Sequence, residues 1–194
     1  PLPSLKSIQR WILDNILAPI PVQRFAKGFV RGRSIRDNAR FHVRQRAVLK
    51  LDIRDFFGSI TYRRVVALFL SFGYSPEISV LLSRLCTLGD RLPQGAPTSP
   101  AISNLICARV DARIAGYAKS QRLRYTRYAD DLTFSGKLSV GIIISFVEIV
   151  LRDEGLKLNS TKTRLMERHQ RQEVTGIVVN STLNAPRKVR RELR

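Results

Sequence analysis

The chain has 194 residues with 34 Lys and Arg against 15 Asp and Glu, a formal charge of +19, and it is 44% hydrophobic. That content buries a core and excludes a disordered basic tail, while the spread of basic residues from Lys6 to Arg194 points to a polyanion, most commonly nucleic acid. Two histidines and two cysteines without a CxxC leave little material for a zinc site or a Ser-His-Asp triad, and the longest apolar run, VGIIISFVEIVL at 140–151, is too short to span a membrane and contains Glu148.

Residues 4–17, SLKSIQRWILDNIL, place Leu5, Ile8, Trp11, Ile12 and Ile16 at helical spacing, and APIPVQ breaks that helix. After the loop FAKGFVRGRS, the stretch IRDNARFH predicts a short helix with Ser34 as its N-cap. AVLKLDI at 47–53 is a branched apolar run and reads as a buried strand ending near Asp52. YRRVVALFLSFG (62–73) and PEISVLLSRLC (76–86) read as two helices. The loop DRLPQGAPTSP precedes a helix from about Ala101 to Lys119. LRYTRY (123–128) and LTFS (132–135) flank Asp130 and Asp131 as two strands of a hairpin. LSVGIIISFVEIVLRDEG forms a helix that Gly155 caps, and EVTGIVVN at 173–180 is a last strand. Cys86 and Cys107 fall in apolar helical contexts and read as buried thiols of a reducing, cytoplasmic setting. This order predicts an α+β fold with a small antiparallel sheet backed by helices.

Two adjacent aspartates at a hairpin tip have an ordinary explanation, since Asp bonds local backbone in turns. Asp52, at the end of a buried strand, adds a second acidic position. If that strand lies beside the hairpin, three carboxylates converge. At a separation of ~4 Å and an effective dielectric of ~20, each like-charge pair costs about 4 kcal/mol, so the cluster requires cations. Oxygen-only ligands suit Mg²⁺, and two such ions ~3.5–4 Å apart serve an in-line nucleotidyl transfer. The basic remainder of the chain would hold a nucleic-acid backbone.

With these motifs the sequence resembles reverse transcriptases. AVLKLDIRDFFGSI is similar to their first catalytic palm motif, LPQGAPTSPAISN to the loop and helix beneath the incoming nucleotide, and YADD to the second metal-binding motif. GLKLNSTKT and EVTGIVVN resemble the two palm motifs that follow, and GFVRGRSI a fingers motif. NARFH (38–42) and VTG (174–176) resemble the Asn-Ala-x-x-His and Val-Thr-Gly patterns of bacterial retron enzymes, and QGAPTSP points the same way. The resemblance runs from about Leu5 to Asn180.

It implies a right-hand polymerase palm with partial fingers: residues 1–46 as partial fingers, 47–60 as palm, 61–90 as fingers and palm helices, 91–182 as palm, and 183–194 as the start of a truncated thumb. Pro1–Pro3 then reads as the tail of a longer fingers motif. The implied activity is RNA-directed DNA synthesis, copying part of a structured noncoding RNA in anti-phage defence. The implied partners are the RNA template, that noncoding RNA, dNTPs, the DNA product and an effector protein. Asp52, Asp130 and Asp131 become the catalytic metal ligands, with Ile53 in the metal set, for two Mg²⁺ ions that Mn²⁺ can replace.

By the same resemblance Phe57 is the bulky residue set against a ribose 2′-hydroxyl, Gln94 and Gly95 line the incoming nucleotide, and Lys162 stands near the triphosphate. Asn38, His42, Val174, Thr175 and Gly176 are assigned to RNA. The residues alone leave plainer readings open: Phe57 as core, Pro93 and Pro97 as marks of a plain loop, Lys162 as a solvated lysine, His42 as a packed histidine, and VTG as strand residues with a bulge glycine. The rival functions are a group II intron-like or other bacterial reverse transcriptase, a two-metal nuclease, and a non-catalytic RNA-binding module.

Overall fold

The computed structural model describes residues 2–185, which fall into two units, one of residues 2–23 and 55–109 and the other of residues 24–54 and 110–185. Pro1 and the stretch from residue 186 onward, where most of the expected thumb start falls, lie outside the described residues.

The first unit is helical. Pro3 opens α1 (Pro3–Ile12), where its missing N–H costs nothing. The predicted helix then continues as a π-helical turn, Leu13–Leu17, in which the Ala18 N–H reaches back to the Leu13 carbonyl. Helices α3 (Tyr62–Ser71) and α4 (Pro76–Cys86) pack against each other, with Gly73 at φ +90° in the turn between them and Ser75 capping α4. Their core joins Ile12, Leu17, Val65, Phe69, Leu82 and Ile102. Among the described residues no helix is long and apolar enough to cross a membrane.

The single helix expected over 101–119 is two: α5 (Ser99–Ile106) and α6 (Ala108–Ser120). Cys107 between them leaves the helical region at ψ 1°. The break falls beside the boundary at 109/110, so each piece buries its apolar stripe in a different unit. Cys86 and Cys107 are free and buried, and burial pushes the Cys86 thiol up to about 11.

The second unit is built on an antiparallel sheet of order β2-β3-β1-β4: β1 (Ala47–Asp52), β2 (Arg124–Tyr128), β3 (Asp131–Gly136) and β4 (Arg164–Glu167). β4 is absent from the sequence expectation, because the four residues RLME bury only Met166 and show no alternation. Cross-strand partners share a face. Leu49, Leu51, Leu132, Phe134, Tyr125 and Arg127 therefore lie on one side, while Val48, Lys50, Asp52, Asp131, Thr133 and Thr126 lie on the other. Of the helices in this unit, α6 and α7 (Val140–Asp153) stack Tyr117 on Phe146 with centroids 4.2 Å apart, and Gly155 at φ +67° ends α7.

The last predicted strand is a tight hairpin, β5 (Glu173–Val174) and β6 (Ile177–Val178), because Thr175 and Gly176 both take positive φ. Two left-handed loop residues are what a two-residue type I′ turn requires. The hairpin packs with α2 (Ile35–Arg40), whose N-terminus is a reciprocal capping box of Ser34 and Asp37. Together Ala39, Val174 and Val179 cover Val48 and Met166 on the second face of the sheet.

Candidate active site

Strand pairing brings Asp52 and Asp131 opposite each other in register at one end of the sheet. Asp130 sits in the two-residue loop joining β2 to β3, where its carbonyl accepts from the Ile53 N–H at 3.0 Å. The chain after α7 runs back along this end: the Asn159 N–H donates to the Asp52 carbonyl at 2.8 Å, and the Arg54 N–H to the Lys157 carbonyl at 2.8 Å.

Like charges directly across a sheet repel. Two lysines meet them here. Lys50, two residues before Asp52 and so on the same face, places Nζ 3.3 Å from Asp131 Oδ2. Lys162 Nζ lies 3.0 Å from Asp52 Oδ2, and Asn159 Nδ2 donates to Asp52 Oδ1 at 3.1 Å. The hydrogen bond to Asp52, and then its charge, hold the Lys162 ammonium above the usual lysine range. At Asp130 desolvation pushes the carboxyl up and outweighs a backbone hydrogen bond, the charges of Asp131 and Asp52 add to the rise, and Lys162 partly opposes it.

Asp52, Asp130 and Asp131 lie close enough for the charges of the first and last to act on Asp130. Among the described residues no three His, Cys, Asp or Glu side chains stand as a ready ligand group for a metal. Two of the carboxylates are paired with lysines. The donor set nevertheless fits a hard divalent cation, since all three groups offer oxygen alone. Sequence reasoning missed Lys50 and Asn159. The i, i+2 spacing in LKLD was the available signal for Lys50, and nothing in NSTK alone singled out Asn159.

The remaining predicted residues divide by environment. Ile53 is buried and bridges Leu158. In the helical unit, Phe57 is half-buried against Phe56, centroids 5.3 Å apart, and Gln94 and Gly95 form an exposed turn with Gly95 at φ +87°. The two short motifs, NARFH and VTG, come together: Asn38 Nδ2 donates to Thr175 Oγ1 at 3.4 Å, and that hydroxyl donates to the Ile35 carbonyl at 3.2 Å.

Of the residues assigned to RNA, Asn38, His42 and Val174 are fully buried. His42 is a packed histidine, its ring nitrogens 2.7 Å from Ser135 Oγ and 2.8 Å from Thr126 Oγ1. Only Thr175 and Gly176 reach the surface. The hairpin covers the Val48 end of the sheet, four residues or about 13 Å along the strand from Asp52.

The family described as "Reverse transcriptase (RNA-dependent DNA polymerase)" matches residues 3–179. The chain belongs to the reverse transcriptase family. It is 40% identical to the retron Mx162 reverse transcriptase of Myxococcus xanthus, over 100% of this chain and 47% of that protein. It is 41% identical to the retron Ec86 reverse transcriptase of Escherichia coli, over 93% of this chain and 57% of that protein. The chain therefore spans about half the length of the curated relatives it matches. Reverse transcriptases generally use divalent metal ions.

The α+β polymerase fold recurs in apo telomerase from Candida tropicalis, with a TM-score of 0.60 at 8% identity, covering 94% of this chain and 44% of that one. It recurs equally in Candida albicans telomerase solved with a fragment of telomeric RNA, with a TM-score of 0.60 at 11% identity, covering 94% and 37%.

Proposed function

We propose that this chain carries the nucleotidyl-transfer centre of a retron-type RNA-directed DNA polymerase. The observation that carries the reading is the register pairing of Asp52 with Asp131, with Asp130 in the adjoining loop, in a chain that matches the reverse transcriptase family from residue 3 to 179. Asp52, Asp130 and Asp131 would hold two Mg²⁺ ions, or Mn²⁺ in their place. When bound, these ions activate a primer hydroxyl and neutralise charge on the leaving pyrophosphate.

Lys162, 61% exposed at its side chain, is free to exchange Asp52 for the triphosphate of an incoming dNTP. Phe57, Gln94 and Gly95 take their proposed roles toward that nucleotide from motif alone, as do the palm assignment of 47–60 and 91–182 and the fingers assignment of 1–46. The +19 charge suits a template of RNA and a product of DNA. The proposed setting is the copying of a structured noncoding RNA in anti-phage defence, with an effector partner.

A two-metal nuclease is the second reading, favoured by Lys50 and Lys162 standing against the aspartates. One assay separates the two. The full-length protein is incubated with a primed RNA template, Mg²⁺ and dNTPs, with and without its neighbouring noncoding RNA. A polymerase lengthens the primer, and Asp52→Asn and Asp130→Asn abolish extension while RNA binding holds. Shortened strands, or near-normal extension by either variant, would overturn the proposal.

A further inference from the structure

Arg127 lies in β2 on the apolar face of the sheet, where a charge has no ordinary place, and it is fully buried. Its partner Asp111, on α6, is equally buried. The guanidinium grips the carboxylate with two bonds, Nε to Oδ1 at 2.8 Å and Nη2 to Oδ2 at 2.7 Å, and Tyr125 Oη donates to the same Oδ1 at 2.9 Å. A buried ion pair of this kind is weak evidence for a stability role, because well-packed apolar residues of similar volume commonly do as well. One feature an apolar pair lacks is the remaining arm: Arg127 Nη1 donates to the Ala129 carbonyl at 3.1 Å.

Ala129 is the first residue of the loop that carries Asp130, and its φ is +55°. A left-handed first loop position alone is the type II′ hairpin pattern, which glycine ordinarily fills. Alanine holds it only when its surroundings over-determine the conformation. Backbone closes on the loop from the other side. The Arg127 N–H donates to the Phe25 carbonyl at 2.9 Å and the Lys27 N–H to the Arg127 carbonyl at 2.7 Å. Gly28 approaches so closely that a Cβ there would stand 2.7 Å from the Ala129 nitrogen.

We propose that the Asp111–Arg127 pair is a positioning device, which fixes the strained Ala129 peptide and thereby the directions of Asp130 and Asp131. The proposal rests on the polymerase reading for its catalytic consequence. Arg127 and Asp111 touch no reacting atom in it; they act through the loop.

The test compares the full-length protein with Asp111→Leu/Arg127→Met, which replaces the pair by apolar side chains, and with Arg127→Lys, whose single ammonium cannot reach Asp111 and the Ala129 carbonyl with the same fork. Thermal midpoint, RNA affinity, amide hydrogen exchange over residues 128–131, and kcat and KM for dNTP are measured on each. The expected result is faster exchange confined to 128–131 and kcat lower by about 10- to 100-fold, with KM for dNTP and RNA affinity little changed. Wild-type exchange, or wild-type kcat despite faster exchange, in a folded variant overturns the proposal. So does loss of protection throughout the second unit in both variants, which would make the pair purely structural. If the double variant does not fold, Arg127→Lys alone decides. A wild-type protein that extends no primer defeats the polymerase reading separately, while the exchange measurement still decides whether the pair holds the loop.

Discussion

Lys162 and Asp52 form an ion pair with Nζ 3.0 Å from Oδ2, although 110 residues separate them in the chain. The pairing makes the ammonium a competitor for any divalent cation at Asp52. Lys162→Gln is expected to lower the Mg²⁺ concentration needed for half-maximal synthesis. The same variant should raise KM for dNTP several-fold, about 1 kcal/mol of lost phosphate contact. Titrations of Mg²⁺ at saturating dNTP, and of dNTP at saturating Mg²⁺, separate the two effects. Unchanged values in both would leave Lys162 a solvated surface residue.

Phe56 and Phe57 are neighbours with different exposures, and their variants should differ in kind. Phe56 is 5% exposed, so Phe56→Ala is expected to cost about 3–5 kcal/mol of stability. Phe57 is half-buried, so Phe57→Ala should cost less and should instead admit ribonucleotides. Denaturant melts and competition between dNTP and rNTP check both halves. A folded Phe57→Ala enzyme with unchanged sugar selectivity would remove Phe57 from the nucleotide site.

His42 supplies a pH signature. Burial, reinforced by Arg124 and Lys27, pushes its pKa down to about 3 from 6.5. Between these values the unfolded chain binds the proton and the folded chain does not, so stability rises with pH across that interval and falls as the solution is acidified. The slope expected from this group is about 1.4 kcal/mol per pH unit. His42→Gln removes that contribution. Urea melts at several pH values from 4 to 7 (roughly the window of these pKa values) give the slope for both proteins. Equal slopes would exclude His42 as its source.

Thr175 and Gly176 test recognition apart from chemistry. Both take positive φ, Thr175 is tied to α2 through its hydroxyl, and the hairpin lies well away from Asp52. Replacing the pair should weaken synthesis from the cognate noncoding RNA while extension of a generic primed RNA survives, because shape-dependent reading of folded RNA is available to such a surface. Gly176→Ala alone should cost about 1 kcal/mol of stability, since no neighbour obstructs its Cβ and only the backbone is strained. Both templates must be compared at one salt concentration. Equal loss on both would assign the hairpin to folding rather than to RNA choice.

Much of the fold was legible in the sequence because its signals are local. Apolar spacing marked α1, α3, α4 and α7, Ser34 marked the start of α2, and alternation around Asp130 and Asp131 marked the β2–β3 hairpin. Elements missed or misjudged lacked a local signal. β4 is too short to alternate, and the apolar run through Cys107 hides a break that only partition between two units explains. EVTGIVVN reads as one strand unless Thr175, a β-branched residue, is allowed a left-handed backbone.

Sequence by itself determined which residue types the candidate site has: three aspartates, one at the end of a buried strand and two adjacent at a hairpin tip. Only the tertiary structure decided their partners. Strand register set Asp52 opposite Asp131 and brought Lys50 beside it, and the return of residues 157–162 along the sheet brought Asn159 and Lys162 to Asp52. Burial alone distinguished Arg127 from the many surface arginines, joining it to Asp111 and to the loop of Asp130. Such pairings join residues far apart in the chain, and a periodicity confined to one element carries no information about them.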